Sequence, residues 1–418
     1  MHHFTYNNGR LHAEAVDIES LAREVDTPFY LYSHATLSQH FKAFDSAFDG
    51  IPHLTCFAVK SCSNLTILRL FSSLGGGADI VSGGELFRAL KAGVDPGKIV
   101  YSGVGKTEVE LRQALHAGIL MFNIESEQEL DALQAAAADL NIKAPVSFRI
   151  NPDVDPKTHA YISTGLAKNK FGIAIDQALA VYQRAAQMDN IEIKGVSCHI
   201  GSQLTEVGPF VESLRKVKGF IARLAENNIQ ISHLDLGGGL GITYDEEEPP
   251  HPDAYAKAIK EELGDLNCTL ILEPGRVIVG NAGILVSRIL YTKTNIAKKF
   301  MIVDAGMNDL ARPSLYGAYH AILPVNEQRS GKVVADVVGP ICETGDFLAK
   351  DQEVPDCEPG DLLAVMSAGA YGFTMSSNYN SRPRVAEVLV KDDLYYLIRH
   401  RETYSSLIQG EELPDFLE

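Results

Sequence analysis

The 418-residue chain has no excess of positive charge: 37 Lys and Arg stand against 54 Asp and Glu, a net of −17. A surface that acidic repels nucleic-acid backbones and anionic lipid, so neither is an expected partner. No uninterrupted apolar run reaches about 18 residues, which excludes a helical membrane span. The opening residues, Met1 to Asn8, hold no basic stretch followed by an apolar one, so no secretion signal is expected. Cysteine is scarce. Cys56, Cys62, Cys198, Cys268, Cys342 and Cys357 match neither a zinc spacing nor a compact disulfide framework. The expectation is therefore no metal site, reduced thiols and a cytoplasmic location. Low-complexity tracts and short repeats are also missing.

What is present is globular: 45% apolar and 22% charged residues, with length enough for two domains or a barrel plus a second lobe. Short apolar runs bounded by turn residues predict eight strands, at Leu54–Lys60, Ala78–Ser82, Ile99–Gly103, Met121–Glu125, Val146–Asn151, Gly195–Gly201, His233–Gly237 and Leu270–Glu273. Helical patterns lie between them at Asn64–Leu74, Gly84–Ala92, Glu108–Ala117 and Glu127–Asp139. Eight strand–helix units in series fit a parallel (β/α)8 barrel. An open doubly wound sheet is the other reading, but no GxGxxG follows an early strand. After Arg276 the pattern becomes strand-like with little helix, at Val277–Val279, Ile284–Tyr291, Phe300–Val303, Val333–Val338, Leu362–Met366, Arg384–Val390 and Tyr395–Ile398. The expected class is α/β plus all-β. Residues 1–26 form an N-terminal segment packing with the β-domain, 27–276 a TIM-type barrel, and 277–418 a β-sandwich or β-barrel.

In such a barrel the functional groups project from the C-terminal ends of the strands. Lys60 closes the first. A lysine there suits a Schiff base, although from position alone a lysine that simply reaches solvent is the plainer reading. His199 closes the sixth, as a base, a ligand, a stacking ring or a satisfied core histidine. The seventh runs into Gly237-Gly238-Gly239-Leu240-Gly241 and the eighth into Glu273-Pro274-Gly275-Arg276, the corner where barrels often hold a phosphate on backbone N–H groups. Glu273 could hold a protonated pyridine nitrogen or simply pair with Arg276. Lysine, glycine loop and carboxylate on strands one, seven and eight together point to pyridoxal phosphate.

Longer segments carry a resemblance. Phe57-Ala58-Val59-Lys60-Ser61, Asp79 to Glu85, Asn151 to Val154, His159 to Gly165, Asn169 to Gly172, His199 to Gln203, Glu273 to Arg276, Arg312 to Tyr316, Cys342 to Asp346 and Gly369 to Gly372 resemble the diaminopimelate decarboxylases of the alanine-racemase-like pyridoxal phosphate enzymes. The likeness spans nearly the whole chain. Ser61 stands where alanine is common and Thr344 where serine is common, with no consequence for the chemistry.

The resemblance implies roles. Lys60 would carry the cofactor, and His199 would stack on its ring. Ser202, Gly238, Gly239, Pro274, Gly275 and Arg276 would hold its phosphate side, Glu273 would pair with the ring nitrogen, and Tyr371 would touch it. Arg276, Arg312, Tyr316, Glu343 and Tyr371 would bind substrate, and Cys342 would donate a proton. Cys342 and Glu343 would come from the partner of a homodimer with shared sites. The implied reaction converts meso-2,6-diaminopimelate to L-lysine and carbon dioxide, the last step of lysine biosynthesis. Two arginines suit a distal carboxylate and would repel a simple alkylamine. A sister decarboxylase of another carboxylated amine, an amino-acid racemase and a non-catalytic cofactor carrier are the alternatives. Asp153–Gly165 and Glu206–Glu212 are candidate lid loops.

Overall fold

The computed structural model describes residues 2–155, 170–296, 298–327 and 331–417. The chain divides into two compact units, Ser38–Ile278 and Met1–Leu37 with Val279–Glu418. Among the described residues, no helix is long and apolar enough to cross a membrane.

The first unit is the expected barrel. Its eight parallel strands are His53–Ala58, Gly77–Ile80, Ile99–Tyr101, Met121–Ile124, Ala144–Asn151, Ile191–Ser197, His233–Asp235 and Thr269–Leu272. The eighth pairs with the first, Leu270 opposite His53 and Leu272 opposite Thr55, which closes the cylinder. The helices start where short polar side chains can satisfy their first N–H groups. Asn64 Oδ1 accepts from Thr66 N, Ser82 Oγ from Glu85 N, and Ser126 Oγ from Glu129 N. Thr107 and Glu110 form a reciprocal capping box ahead of Glu108–Ala117. Gly118, at φ 68°, ends that helix in the left-handed conformation. These caps fix the loops at the strand ends. Below them Cys56, Val100, Met121 and Ile271 are fully buried together.

The second unit is built on a nine-stranded sheet. One path runs Phe347–Asp356, Gly331–Val338, Lys299–Val303, Gly283–Thr294, Phe29–Ser33, Ala386–Lys391, Leu394–Arg399, and Ile322–Pro324 joins through Leu362–Val365. The helix Ile18–Val25 lays Ile18, Leu21 and Ala22 into a core with Phe29, Leu31, Ile284, Val286 and Val388.

Several details differ from the sequence reading. Residues 27–37 lie with the β-rich unit, because Phe29–Ser33 pairs with Gly283–Thr294 and Ala386–Lys391. Val277–Val279 is a helical turn, Arg276–Val279, closed by Ile278 N to Gly275 O at 3.0 Å. The strand Phe347–Asp356 escaped the reading because four charged residues and Pro355 interrupt its apolar pattern. Glu206–Glu212 is partly the first turn of helix Gly208–Glu226. Most of Asp153–Gly165, and the His159–Gly165 motif, lie outside the described residues.

Candidate active site

The barrel mouth gathers polar side chains from successive strand ends. The first strand stops at Ala58, two residues short of the expected Lys60. Ser61 Oγ donates to Ala58 O at 2.7 Å, and the chain folds into a tight turn over Val59–Ser61. That turn carries Lys60 over the barrel, where Nζ pairs with the fully buried Asp79 at the second strand.

The third, fourth, seventh and eighth strands supply Ser102, Asn123, Asp235 and Glu273. Asn123 Nδ2 donates to Asp235 Oδ2 at 2.8 Å and lies 3.4 Å from Glu273 Oε1. Ser102 Oγ donates to Glu273 Oε1 at 3.3 Å, and Gly237 N to Asp235 Oδ1 at 2.8 Å. Burial pushes the Glu273 carboxyl well above the usual glutamate range, and the neighbouring Asp235 and Asp79 push it further. Asp235 is raised for the same first reason.

The fifth strand supplies Arg149. Its guanidinium pairs with Glu125 at 2.9 Å and lies 4.7 Å from the centre of the Phe171 ring. Glu125 also accepts from Gly103 N at 3.1 Å and Gly172 N at 2.9 Å. His199, after the sixth strand, is held neutral: burial drives its pKa well below the ordinary value, and Arg149 and Lys60 add repulsion. Lys60, His199, Glu273, Asp235, Asn123 and Arg149 line one cavity of about 170 Å³.

Beside it, Arg276 Nη2 donates to Ser202 Oγ at 3.1 Å and Nη1 to Tyr244 Oη at 2.6 Å. The glycine corner is close-packed. A Cβ on Gly238 would sit 2.1 Å from Glu273 O, and one on Gly239 2.5 Å from Gly201 O. Gly239 adopts φ 122°, which side chains rarely tolerate.

The structure therefore brings Lys60, His199 and Glu273 to one cavity, and Ser202, Gly238, Gly239, Pro274, Gly275 and Arg276 are on the same unit. The remaining predicted residues belong to the β-rich unit. Arg312 and Tyr316 share the short helix Arg312–Tyr316. Ser314 Oγ donates to Gly345 O at 2.6 Å, which fastens that helix to the turn holding Cys342 and Glu343. Asp346 accepts from Met307 N and Ile341 N, both at 2.6 Å, and Asn380 Oδ1 accepts from Cys342 N at 2.8 Å. Cys342 is exposed, whereas the other five cysteines are buried. Tyr371 sits in the left-handed region at φ 56°.

Asp79, Asn123, Asp235, Arg149 and Glu125 were not singled out from the sequence. The available signal was a polar residue at the end of almost every barrel strand.

The residues suit pyridoxal phosphate. Three buried carboxylates, Asp79, Asp235 and Glu273, share an interior in which a protonated ring nitrogen would supply the missing positive charge. Asp79 Oδ1 and Ser197 Oγ are buried there without a hydrogen-bond partner among the described residues. Ser202 Oγ and the Arg276 guanidinium, paired at 3.1 Å beside the glycine corner, are donors suited to a phosphate.

Fold and site define a barrel enzyme of the pyridoxal-dependent decarboxylase class. The family described as "Pyridoxal-dependent decarboxylase, pyridoxal binding domain" matches residues 34–280. The diaminopimelate decarboxylase of Pseudomonas aeruginosa is 54% identical over 410 residues, 98% of this chain and 99% of that one. The crystal structure of the Helicobacter pylori diaminopimelate decarboxylase complexed with L-lysine superimposes with a TM-score of 0.92 at 45% identity, covering 94% of this chain and 99% of that one. That from M. jannaschi gives 0.95 at 39% identity, covering 100% and 99%. This chain belongs to the diaminopimelate decarboxylase family.

Proposed function

We propose that the chain decarboxylates meso-2,6-diaminopimelate at its D centre, yielding L-lysine and carbon dioxide, as a cytoplasmic enzyme of lysine biosynthesis. The observation that carries this reading is the convergence of Lys60, His199 and Glu273 on one buried barrel cavity in a chain of this family. When bound, pyridoxal phosphate supplies the ring that accepts the electron pair left by the departing carboxylate. The chain's own residues do the rest.

Lys60 Nζ would be the covalent anchor, and Asp79 holds it at the cavity. Glu273 keeps a proton on the ring nitrogen, because its carboxylate becomes favourable once a cation faces it. His199, neutral and flat, stacks on the ring without adding charge. Ser202, Gly238, Gly239, Pro274, Gly275 and Arg276 would hold the phosphate side, and Tyr371 would contact the cofactor. Arg312, with Tyr316, Arg276 and Tyr371, takes the carboxylates, and Glu343 takes the distal ammonium. Cys342 returns a proton to the reacting carbon; its exposure among otherwise buried cysteines supports that choice. The active form is a homodimer in which Cys342 and Glu343 serve the barrel of the other copy.

The test is incubation with cofactor and a panel of D-, L- and meso-amino acids, reading carbon dioxide and product chirality. L-Lysine from the meso isomer alone supports the reading. Equal turnover of a simple diamine-forming substrate such as L-lysine overturns it.

A further inference from the structure

Arg312 begins its short helix and is buried, with 6% of its surface exposed. Gly317 ends that helix at φ 61°, a left-handed conformation that turns the chain back. The reversal brings His320, eight residues on, against the Arg312 side chain. His320 Nε2 lies 2.8 Å from Arg312 Nη1, and Nδ1 lies 2.8 Å from Met366 O.

Chemistry assigns the tautomer. A guanidinium can only donate, so Nε2 presents its lone pair; a carbonyl can only accept, so Nδ1 carries the proton. His320 is therefore a neutral, Nδ1-protonated imidazole. It is fully buried and held at both ends. Gln352 Nε2 donates to His320 O at 3.2 Å, and Met366 N donates to Ala321 O at 2.8 Å. The imidazole is thus a rigid strut between the sheet and one nitrogen of Arg312.

A guanidinium recognises a carboxylate through two parallel N–H donors, so its rotation about the side-chain axis decides whether both reach. We infer that His320 is a positioning residue for substrate recognition: it fixes the rotation of Arg312 and thereby the grip on the distal carboxylate. This rests on the reading above that Arg312 binds that carboxylate. Arg312 keeps its charge whatever stands at 320; what His320 supplies is direction.

The test uses the cofactor-loaded full chain and two inhibitors that differ only in the carboxylate. L-Lysine retains the distal carboxylate, and pentane-1,5-diamine lacks it. His320→Leu removes the acceptor. It is expected to weaken L-lysine, and to raise KM for meso-diaminopimelate, by about tenfold, about 1.4 kcal/mol. The inhibition constant of the diamine should stay within about twofold, since the diamine never uses Arg312. His320→Gln, whose amide can accept from Arg312 and donate to Met366, should restore most of the L-lysine affinity. Should His320→Leu not fold, His320→Asn serves: it reaches Met366 but falls short of Arg312, and should show the loss that Gln does not.

Parallel changes in both inhibitors, or an unchanged ratio in a folded variant, overturn the positioning role. Arg312→Ala separates this from the underlying reading. If it also leaves the ratio unchanged, Arg312 does not hold the distal carboxylate and both fall. If it moves the ratio and the His320 variants do not, only the positioning role falls.

Discussion

The barrel unit and the β-rich unit hold their reactive groups in opposite ways. The barrel sinks three carboxylates, Asp79, Asp235 and Glu273, into one interior with Lys60 and Arg149 as the nearby cations. Successive strand ends contribute these groups, so their spacing is set by the cylinder. The cost is electrostatic: Glu273 is raised by burial and by its acidic neighbours. The β-rich unit instead puts Arg312, Tyr316, Cys342 and Glu343 on short turns, and stabilises the turns with a hydrogen bond donated by Ser314 and others accepted by Asp346 and Asn380. The first arrangement stores unfavourable charge that a cationic ligand relieves. The second also buries charge, since burial raises Asp346, but it positions its turns by hydrogen-bond fastening.

The comparison predicts that lesions in the barrel act on chemistry, and that lesions in the hydrogen bonds that fasten the turns act on alignment. Lys60→Ala should have the largest effect. It would remove the proposed covalent anchor, and it leaves Asp79 as a buried carboxylate without its cation. Turnover and the visible cofactor absorption should both vanish. An absorption band that borohydride still fixes to protein would mean another lysine is the anchor.

Glu273→Gln should come next. The cofactor should stay bound while kcat falls by two to four decades, about 3–5 kcal/mol of transition-state stabilisation. The amide cannot keep the ring nitrogen protonated. The same variant tests the stored charge directly. A carboxyl raised in the folded state binds a proton that the unfolded chain has already lost, so stability declines as pH rises through the interval above the ordinary glutamate value. The cofactor-free wild type should therefore lose thermal stability, as pH rises above the ordinary glutamate range, more steeply than Glu273→Gln does. Equal slopes would remove Glu273 as the site of the electrostatic cost.

Complementation probes the β-rich unit. Cys342→Ala and Lys60→Ala, each inactive alone, should together regain up to about a quarter of wild-type activity after refolding as a mixture. With random pairing, half the dimers are mixed and each has one intact site. Recovery absent despite mass-verified subunit exchange would return the proton donor to the barrel.

Legibility in the sequence follows the same division. The four helices after the barrel's first four strands were readable to within about a residue, and Asn64, Ser82, Thr107 and Ser126 cap their starts, whereas the helix His34–Ser46 before the first strand was not read. Lys60, His199 and Glu273 followed from counting strands, since a closed parallel barrel turns chain order into position. Asp79, Asp235 and Arg149 did not, because a polar residue at a strand end reads equally as the start of a loop. In the β-rich unit there is no such rule. Cys342, Glu343 and Tyr371 were named through family resemblance alone, since a turn has no period. His320 was not named at all. Its link to Arg312 depends on Gly317 reversing the chain, a backbone event that no hydrophobic pattern announces.

The smallest predicted effect is also the sharpest probe of fastening. Ser314→Ala removes one hydrogen bond, Ser314 Oγ to Gly345 O at 2.6 Å, and leaves every reactive group in place. Gly345 O can regain a partner from water because Gly345 is only half-buried, so the stability loss should be about 1 kcal/mol. If the β-rich unit works by alignment, the variant should still lose several-fold in kcat/KM for meso-diaminopimelate, with cofactor affinity and absorption unchanged. Arg312 and Tyr316 lie on one side of that bond, and Cys342 and Glu343 on the other, so freeing it loosens both pairs, each in the site it serves. A fall in thermal midpoint with kcat/KM intact would show that the turns are held well enough by Asp346 and Asn380 without it. A fall in cofactor affinity would contradict the division of labour, since nothing in the barrel cavity is touched by this change.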